Sequence, residues 1–404
     1  MRSKAADILI IGGGVPGLAL AALLAQAGMG VAVAEKYPAP ALKKTRPGGR
    51  TSALMQGSVN ILKAAGAWDD AAPSGEELKI LRIIDDSGAK PTQVDFRAEE
   101  IGLDAFGVNM PNDILRAALG ESAKKNKKIR FIEAALTGYE TDEFGVTARF
   151  EDDSTVTAKL IAGADGRNSL TRELAGIETW QRDYGQQAIT CLINHTEPHD
   201  NISTEFHRPS GPFTLVPLPG KMSSVVWVDF EEHARSFMAM DRKAFERALQ
   251  ERSRDALGKI KIATEPQSCP LMALKAKKFT GKRMALIAEA AHVLHPMGAQ
   301  GLNLSLRDVA ALAEVTTDTV RAGLDPGSAA VLDKYERRRK RDVLSRVIGT
   351  DGLTRMVSND FGIMRGLRRI GLKTLDTATP LKEFAMHQGL APEDGSRLAR
   401  GERL

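Results

Sequence analysis

The stretch Asp7–Glu35, DILIIGGGVPGLALAALLAQAGMGVAVAE, decides the fold. Ile8 to Ile11 is an apolar run long enough for a buried strand and too short for a helix. Gly12, Gly14 and Gly17 follow in the spacing G-x-G-x-x-G, and a helical pattern runs from Pro16 to Gln26. Gly28 and Gly30 end that helix, Val31 to Ala34 make a second strand, and Glu35 closes it. The parts suit a dinucleotide. Gly12 permits the tight turn, Gly14 lets the backbone approach a pyrophosphate, and Gly17 lets helix and strand pack closely. Amides at the helix start face the phosphate charge. Glu35 can accept hydrogen bonds from a ribose hydroxyl, and an acid there disfavours a 2′-phosphate. The stretch alone leaves FAD and NAD both open.

Working outward, Lys36 to Gly49 reads as a Pro, Lys and Gly-rich loop. Arg50-Thr51-Ser52-Ala53-Leu54 opens a helical pattern through Leu62, which sets Arg50 near a helix N-terminus, where it is either a phosphate ligand or a solvated arginine. Leu78–Asp85 and Thr92–Phe96 read as strands around an Asp-Asp-Ser-Gly turn. Pro111 to Leu119 starts a helix with Asn112 placed to cap it. Short strands then lead to Leu160-Ile161-Ala162-Gly163-Ala164-Asp165, which sets a carboxylate at the carboxyl end of a strand, where open α/β sheets bind ligands. After Trp180 the pattern changes to successive strands: Gln187–His195, Ser203–Arg208, Phe213–Leu218, Ser223–Phe230 and Pro270–Leu274. A helix over Asp241–Leu257 interrupts them. Trp227, Phe206 and Phe213 are expected in that layer's core.

A second stretch carries as much weight: Met284–Asp308, MALIAEAAHVLHPMGAQGLNLSLRD. A strand, Met284–Ala288, ends in Glu289, and a Pro/Gly turn over Pro296–Gly301 opens a helix near Leu302. Free amides at a helix start suit a developing anion. His292 and His295 form H-x-x-H, but no acid stands at catalytic spacing and no third ligand is evident, so no metal is expected. The same holds for His195, His199, His207 and His233.

The 404 residues suggest two or three domains, and 43% hydrophobic with 26% charged residues is ordinary for a globular chain. Two cysteines, Cys191 and Cys269, exclude a disulfide framework and fit a reducing compartment. Both read as packing residues. The N-terminal apolar run belongs to the glycine motif rather than to a signal peptide. Residues 331–404 hold 16 Lys and Arg against 10 Asp and Glu, so the net charge of +5 resides in the tail. Aromatics at 5% and the absence of any nucleic-acid module exclude nucleic acid as a partner.

In this order and spacing, Gly12–Gly17 with Glu35, Gly163–Gly166, and Glu289–Asp308 resemble the FAD-dependent aromatic hydroxylases, class A flavoprotein monooxygenases similar to para-hydroxybenzoate hydroxylase. Arg50–Leu54 and Ala299-Gln300-Gly301-Leu302-Asn303 look most like the ubiquinone-biosynthesis hydroxylase branch. Two positions depart from it: the family usually has Gly-Asp at Ala288-Glu289 and glycine at Ala299. The fold class implied is α/β. A Rossmann-like FAD-binding domain (1–75, 100–182 and 276–328) carries an inserted, mostly antiparallel β-sheet substrate domain (76–99 and 183–275) and a helical C-terminal region (329–404).

The resemblance also implies roles. Gly12, Gly14, Gly17 and Glu35 would hold the ADP half of FAD, with Arg50 and Asn112 near the pyrophosphate and ribityl. Asp165 would serve FAD and passing NAD(P)H, and Glu289 would touch the ribityl or pyrophosphate. Pro296 would sit near the flavin's reactive carbon, with the amides of Gly301, Leu302 and Asn303 at the pyrimidine edge. The implied reaction reduces the flavin with NAD(P)H, captures O2 as a C4a-hydroperoxide, and hydroxylates a polyprenylated phenol or quinol. A soluble small aromatic substrate, or a flavin-binding accessory subunit without turnover, are the alternatives. Ala329–Val347 reads as a helix with a solvated basic run, Arg337–Arg341. Ile363, Leu367 and Ile370 oppose Arg365, Arg368 and Arg369 on a further amphipathic helix. A lipid-tailed substrate makes a membrane surface or a ubiquinone-biosynthesis complex the expected partner of this tail, and the location cytoplasmic, peripheral at the inner membrane face.

Overall fold

The computed structural model of the chain describes residues 4–85, 91–296, 298, 300–357, 379–389 and 395–404. Ile8, Leu9 and Ile10 are wholly buried, so the strand Lys4–Ile11 lies at the centre of a sheet. Parallel neighbours flank it on both sides. Strand order runs Thr280–Gly281, Met284–Leu286, Thr155–Gly163, Lys4–Ile11, Val31–Ala34, Ile129–Ile132. Leu136–Thr141 and Val146–Phe150 extend it as an antiparallel flap beside Thr155–Gly163. The helix Val15–Gln26 is apolar all round and buried along almost its whole length, as a helix covered on every side must be. It packs against the helices Gln300–Arg321 and Asn112–Lys125.

The register sets up the site. Ile11 stands opposite both Ala34 and Gly163, and Gly163 opposite Leu286, all in parallel pairs. Four strands therefore finish level with one another. Their continuations are Gly12–Gly14, Glu35, Asp165 and Glu289. Ligands of open parallel sheets collect at this carboxyl edge.

The second layer is a nine-stranded, almost wholly antiparallel sheet. It runs from His292–Val293 through Gln267–Ala276, Thr179–His195, Met222–Phe230, Phe213–Leu218, Ile202–His207 and Ile80–Asp85 to Thr92–Arg97, with Ile260–Ile262 beside Thr179–His195. Alternation divides its faces. Ile189, Cys191, Ile193, Phe213 and Trp227 form a core with Ala234, Phe245 and Leu249 of the helices Glu231–Met238 and Arg242–Ser253. Trp227, Phe206 and Phe213 are core residues, as expected. Burial pushes the Cys191 thiol up to about 12, which leaves it inert as a nucleophile. The opposite face meets the nucleotide-binding layer, where Thr51 Oγ1 donates to Ser224 Oγ at 2.8 Å and Asn109 Nδ2 to the Pro217 carbonyl at 2.9 Å.

Several expectations are corrected. Thr51–Met55 is a strand, not the start of a helix: it pairs with Gly107–Pro111, and the helix begins only at Gln56. The pairing is tight enough that a Cβ on Gly107 would stand 1.9 Å from the Leu54 carbonyl oxygen, so long-range pairing overrides the local helical pattern. Arg50 is therefore remote from that helix's N-terminus. Pro111, not Asn112, takes the cap position of Asn112–Lys125. The strand expected from Gln187 starts at Thr179 and continues to His195 through a bulge at Asp183–Gln186, where Gly185 has φ +63°. The helix expected from Asp241 runs over Arg242–Ser253, capped by the Asp241 side chain, and Glu231–Met238 precedes it. The Asp-Asp-Ser-Gly turn ends outside the described residues.

The helix Ala329–Val357 docks on Gln300–Arg321. Its basic run is solvated only in part: Arg337, Lys340 and Arg341 are exposed, but Arg338 pairs with Glu314 at 2.8 Å, and buried Arg339 pairs with Asp308 at 2.6 Å. The opposing faces expected over Ile363, Leu367, Ile370 and Arg365, Arg368, Arg369 lie outside the described residues. The helix Thr379–Gly389 returns to bury Met386 among Met55, Phe96 and Phe106. Among the described residues, no helix is long and apolar enough to cross a membrane.

Candidate functional site at the carboxyl edge of the parallel sheet

The three motif glycines do different work. Gly12 has φ +109°, and a Cβ there would meet the Ala164 carbonyl oxygen at 2.3 Å. A Cβ on Gly17 would stand 2.0 Å from the Gly12 carbonyl oxygen. These two therefore serve the turn and the helix–strand approach. Gly14 is different: a Cβ would find nothing nearer than Pro16 Cδ at 3.8 Å. Space lies open in front of a helix start that has no side-chain cap and no acid in its first turn. Free amides and an uncompensated positive helix end are what a pyrophosphate requires.

Glu35 lies beside this opening. Its Oε2 accepts from the Gly13 amide at 2.7 Å and its Oε1 from the Tyr37 amide at 2.9 Å. A carboxylate has about four acceptor positions, so lone pairs remain for ribose hydroxyls. Arg116 was not foreseen. Its Nε donates to the Gly13 carbonyl at 2.9 Å and a terminal nitrogen donates to the Tyr37 carbonyl, so it clamps the glycine loop to the chain beyond Glu35. The signal was available: Arg116 lies one helical turn after Asn112, on the same face.

Asp165 is committed locally. Its Oδ1 accepts from Ser169 Oγ at 2.6 Å, and its Oδ2 from the Thr171 amide and hydroxyl, both at 2.9 Å. It thus shapes the turn carrying Arg167, whose Nε reaches Glu289 Oε2 at 3.3 Å. Glu289 sits in a short 3-10 turn, Ala288–Ala290. Ala288 has φ +57°, left-handed backbone that a glycine would adopt freely. The family's usual glycine at this position now has a conformational reason.

Beyond Glu289 the chain changes sheets. His292–Val293 joins the antiparallel sheet beside Leu274 and Lys275, and the chain then returns as the helix Gln300–Arg321. That helix starts two residues earlier than expected. Half-buried Pro296 lies in the turn between the His292–Val293 strand and the helix Gln300–Arg321. Its neighbour His295 is buried and meets the Tyr184 ring edge-on at 5.0 Å. His292 donates to Asp308 at 2.6 Å. Gly301 has open space where a side chain would be, and the first turn again holds no acid. Ala299 lies outside the described residues.

Asn303 joins two of the expected segments. Its Oδ1 accepts from the Met55 amide at 2.9 Å and its Nδ2 donates to the Ala53 carbonyl at 2.8 Å. The strand Thr51–Met55 is thereby fixed to the Gln300 helix start. Asn112 fixes the other end: its amide donates to the Arg50 carbonyl at 3.1 Å, and its Oδ1 accepts from Ser52 Oγ at 2.7 Å. Two open helix starts, one acid with spare lone pairs and one arginine clamp are thus carried on adjoining segments. This donor set fits a long, anionic, dinucleotide-like cofactor.

Comparison with known proteins agrees. The family model described as "FAD binding domain" matches residues 5–349. Ubiquinone hydroxylase UbiL of Rhodospirillum rubrum is 35% identical, over 99% of this chain and 94% of that protein. The 3-demethoxyubiquinol 3-hydroxylase of Escherichia coli is 30% identical, over 96% of this chain and 100% of that protein. Among solved structures, p-nitrophenol 4-monooxygenase PnpA from Pseudomonas putida superposes with a TM-score of 0.80 at 18% identity. The match covers 97% of this chain and 100% of that one.

Proposed function

Because the chain belongs to the FAD-dependent aromatic hydroxylases and is an FAD-dependent monooxygenase of their ubiquinone-hydroxylase branch, we propose that it hydroxylates the ring of a polyprenylated phenol or quinol precursor in ubiquinone biosynthesis. One observation carries this reading. Similarity to ubiquinone hydroxylases runs end to end, through the antiparallel substrate sheet as well as the cofactor domain.

Bound FAD supplies the redox chemistry, taking electrons from NAD(P)H and activating O2. The chain supplies position and environment. The Val15 and Gly17 amides, at the positive end of their helix, bind the pyrophosphate. Glu35 accepts from ribose hydroxyls, and Arg116 keeps the loop that carries Gly13 and Gly14 in place. Arg50, Asn112 and Glu289 hold the middle of the cofactor, and Asp165 orders the turn beside it. The amides of Gly301, Leu302 and Asn303 stabilise negative charge at the pyrimidine edge without having to reorganise. Pro296 and the facing sheet exclude water from the reacting carbon.

The basic C-terminal region docks on an anionic membrane surface or on a biosynthetic complex, from which a lipid-tailed substrate is delivered. Deleting the gene and identifying the accumulated quinone intermediates by mass spectrometry tests the reading. A prenylated precursor lacking one ring hydroxyl is expected. An unchanged quinone profile, with turnover of a soluble phenol by the purified protein, would replace it with the small-aromatic alternative.

A further inference from the structure

The Glu289 turn is braced from behind by a network of charges centred on buried Asp308 and Arg339. Ala288 is buried and left-handed, and its amide donates to Asp308 Oδ2 at 2.9 Å. His292 Nε2 donates to the same oxygen at 2.6 Å, and Arg339 Nε donates to Oδ1 at 2.6 Å. Arg339 also donates to Asp342 at 2.7 Å, and Asp342 pairs with Arg307 at 3.1 Å. On the strand side, the Tyr335 hydroxyl donates to the Leu286 carbonyl at 2.8 Å, two residues before Ala288. Asp308, His292, Arg339 and Tyr335 are all buried. Burial alone would raise the Asp308 carboxyl, but His292 and Arg339 outweigh it and hold the group ionised, below its ordinary range.

A non-glycine residue gives up about 1–2 kcal/mol in the left-handed region, so an unbraced alanine would leave it most of the time. The turn would then swing Glu289 away from Arg167. Asp308 accepts the one amide whose direction fixes that conformation, and it is in turn fixed by the helix Ala329–Val357, which lies outside the sheet that builds the site.

We propose that Asp308 is a positioning residue for FAD: anchored by Arg339, it holds Ala288 left-handed and so presents the Glu289 turn to the cofactor. The C-terminal helix thereby becomes part of the cofactor site. This rests on the assignment of the Glu289 turn to FAD made above.

The test is a double-mutant cycle read as FAD dissociation constant, by quenching of flavin fluorescence, with the folded fraction checked by circular dichroism. Asp308→Asn is expected to weaken FAD binding about tenfold, the left-handed cost expressed as affinity. In an Ala288→Gly background the same change should weaken it about threefold or less, because glycine keeps the turn unaided. If Asp308→Asn does not fold, Tyr335→Phe, which removes only the hydroxyl on Leu286, takes its place in the cycle, with the same partial rescue expected. Equal losses in the parent protein and in the Ala288→Gly background, or no loss in either, overturn the proposal. Glu289→Ala, measured alongside, separates the two layers. Unchanged affinity there removes the turn from the cofactor site and the proposal with it. Weakened affinity with an additive cycle removes the Asp308 role alone.

Discussion

Two turns at the carboxyl edge face the same demand and meet it differently. After the first strand the backbone turns at Gly12, with φ +109°, and the residues responsible are glycines. After the Met284–Leu286 strand it turns at Ala288, with φ +57°, held by a buried acid, histidine and arginine. The first device is local: its conformation is intrinsic to the residue, and its close contacts lie within the sheet. The second is long-range, since Arg339 arrives from a helix beginning 41 residues after Ala288. A glycine turn fails when a side chain is added, whereas a braced turn fails when the brace is removed. The two therefore have opposite mutational signatures.

The largest expected effect breaks the first turn. Gly17→Val would place its Cβ 2.0 Å from the Gly12 carbonyl oxygen, a contact with backbone that cannot yield. Loss of FAD binding, and of most soluble folded protein, is expected in a flavin-content assay. Recovery of fully loaded protein would show that the helix–strand approach is slack.

Next is the brace itself. Arg339→Met removes the guanidinium from a buried ion pair with Asp308, which costs about 3–5 kcal/mol. Denaturant titration should show a midpoint shift of that size, far beyond a surface Arg→Met control. The same network gives a pH signature. Asp308 is lowered in the folded protein, so its contribution is complete above the unfolded carboxylate value of about 3.9 and is lost as pH falls through the folded value. In Arg339→Met that acid-side loss should begin at higher pH. A coincident acid transition in the two proteins would contradict the ion-pair account.

Arg116→Ala is expected to act on affinity more than on stability. It removes donors to Gly13 and Tyr37 carbonyls from a charged group, worth about 1.5–3 kcal/mol, so FAD affinity should fall by about tenfold or more. A loss of thermal stability with unchanged affinity would make Arg116 a packing residue.

The smallest effect sharpens the comparison. Ala288→Gly relieves the left-handed strain but adds freedom to the unfolded chain, leaving a gain of at most about 1 kcal/mol. A modest rise in melting temperature is expected. A fall would mean that the turn depends on the alanine methyl.

What the sequence made legible follows from the same contrast. The Gly12–Glu35 unit could be read because every part of it is local: apolar strand, spaced glycines, helix, strand, acid. Asp165 and Glu289 were found at strand ends for the same reason. Arg50–Leu54 was misread because its strand exists only through pairing with Gly107–Pro111, and no window of its own sequence carries that partner. The inward turn of Arg338 and Arg339 was hidden likewise, since a basic run looks the same whether its partners are water or a buried acid. Arg116 carries one local sign, its one-turn spacing from Asn112, but the carbonyls of Gly13 and Tyr37 that give it a role are brought to it only by the fold.

The claim beneath all of this is that the two turns serve one cofactor. A crystal structure of the FAD complex tests it most directly. The account predicts pyrophosphate density against the Val15 and Gly17 amides, continuous with an isoalloxazine ring whose pyrimidine edge meets the amides of Gly301, Leu302 and Asn303. A flavin held at Gly14 with its ring turned away from the Gln300 helix, leaving the Ala288–Glu289 turn uncontacted, would contradict it.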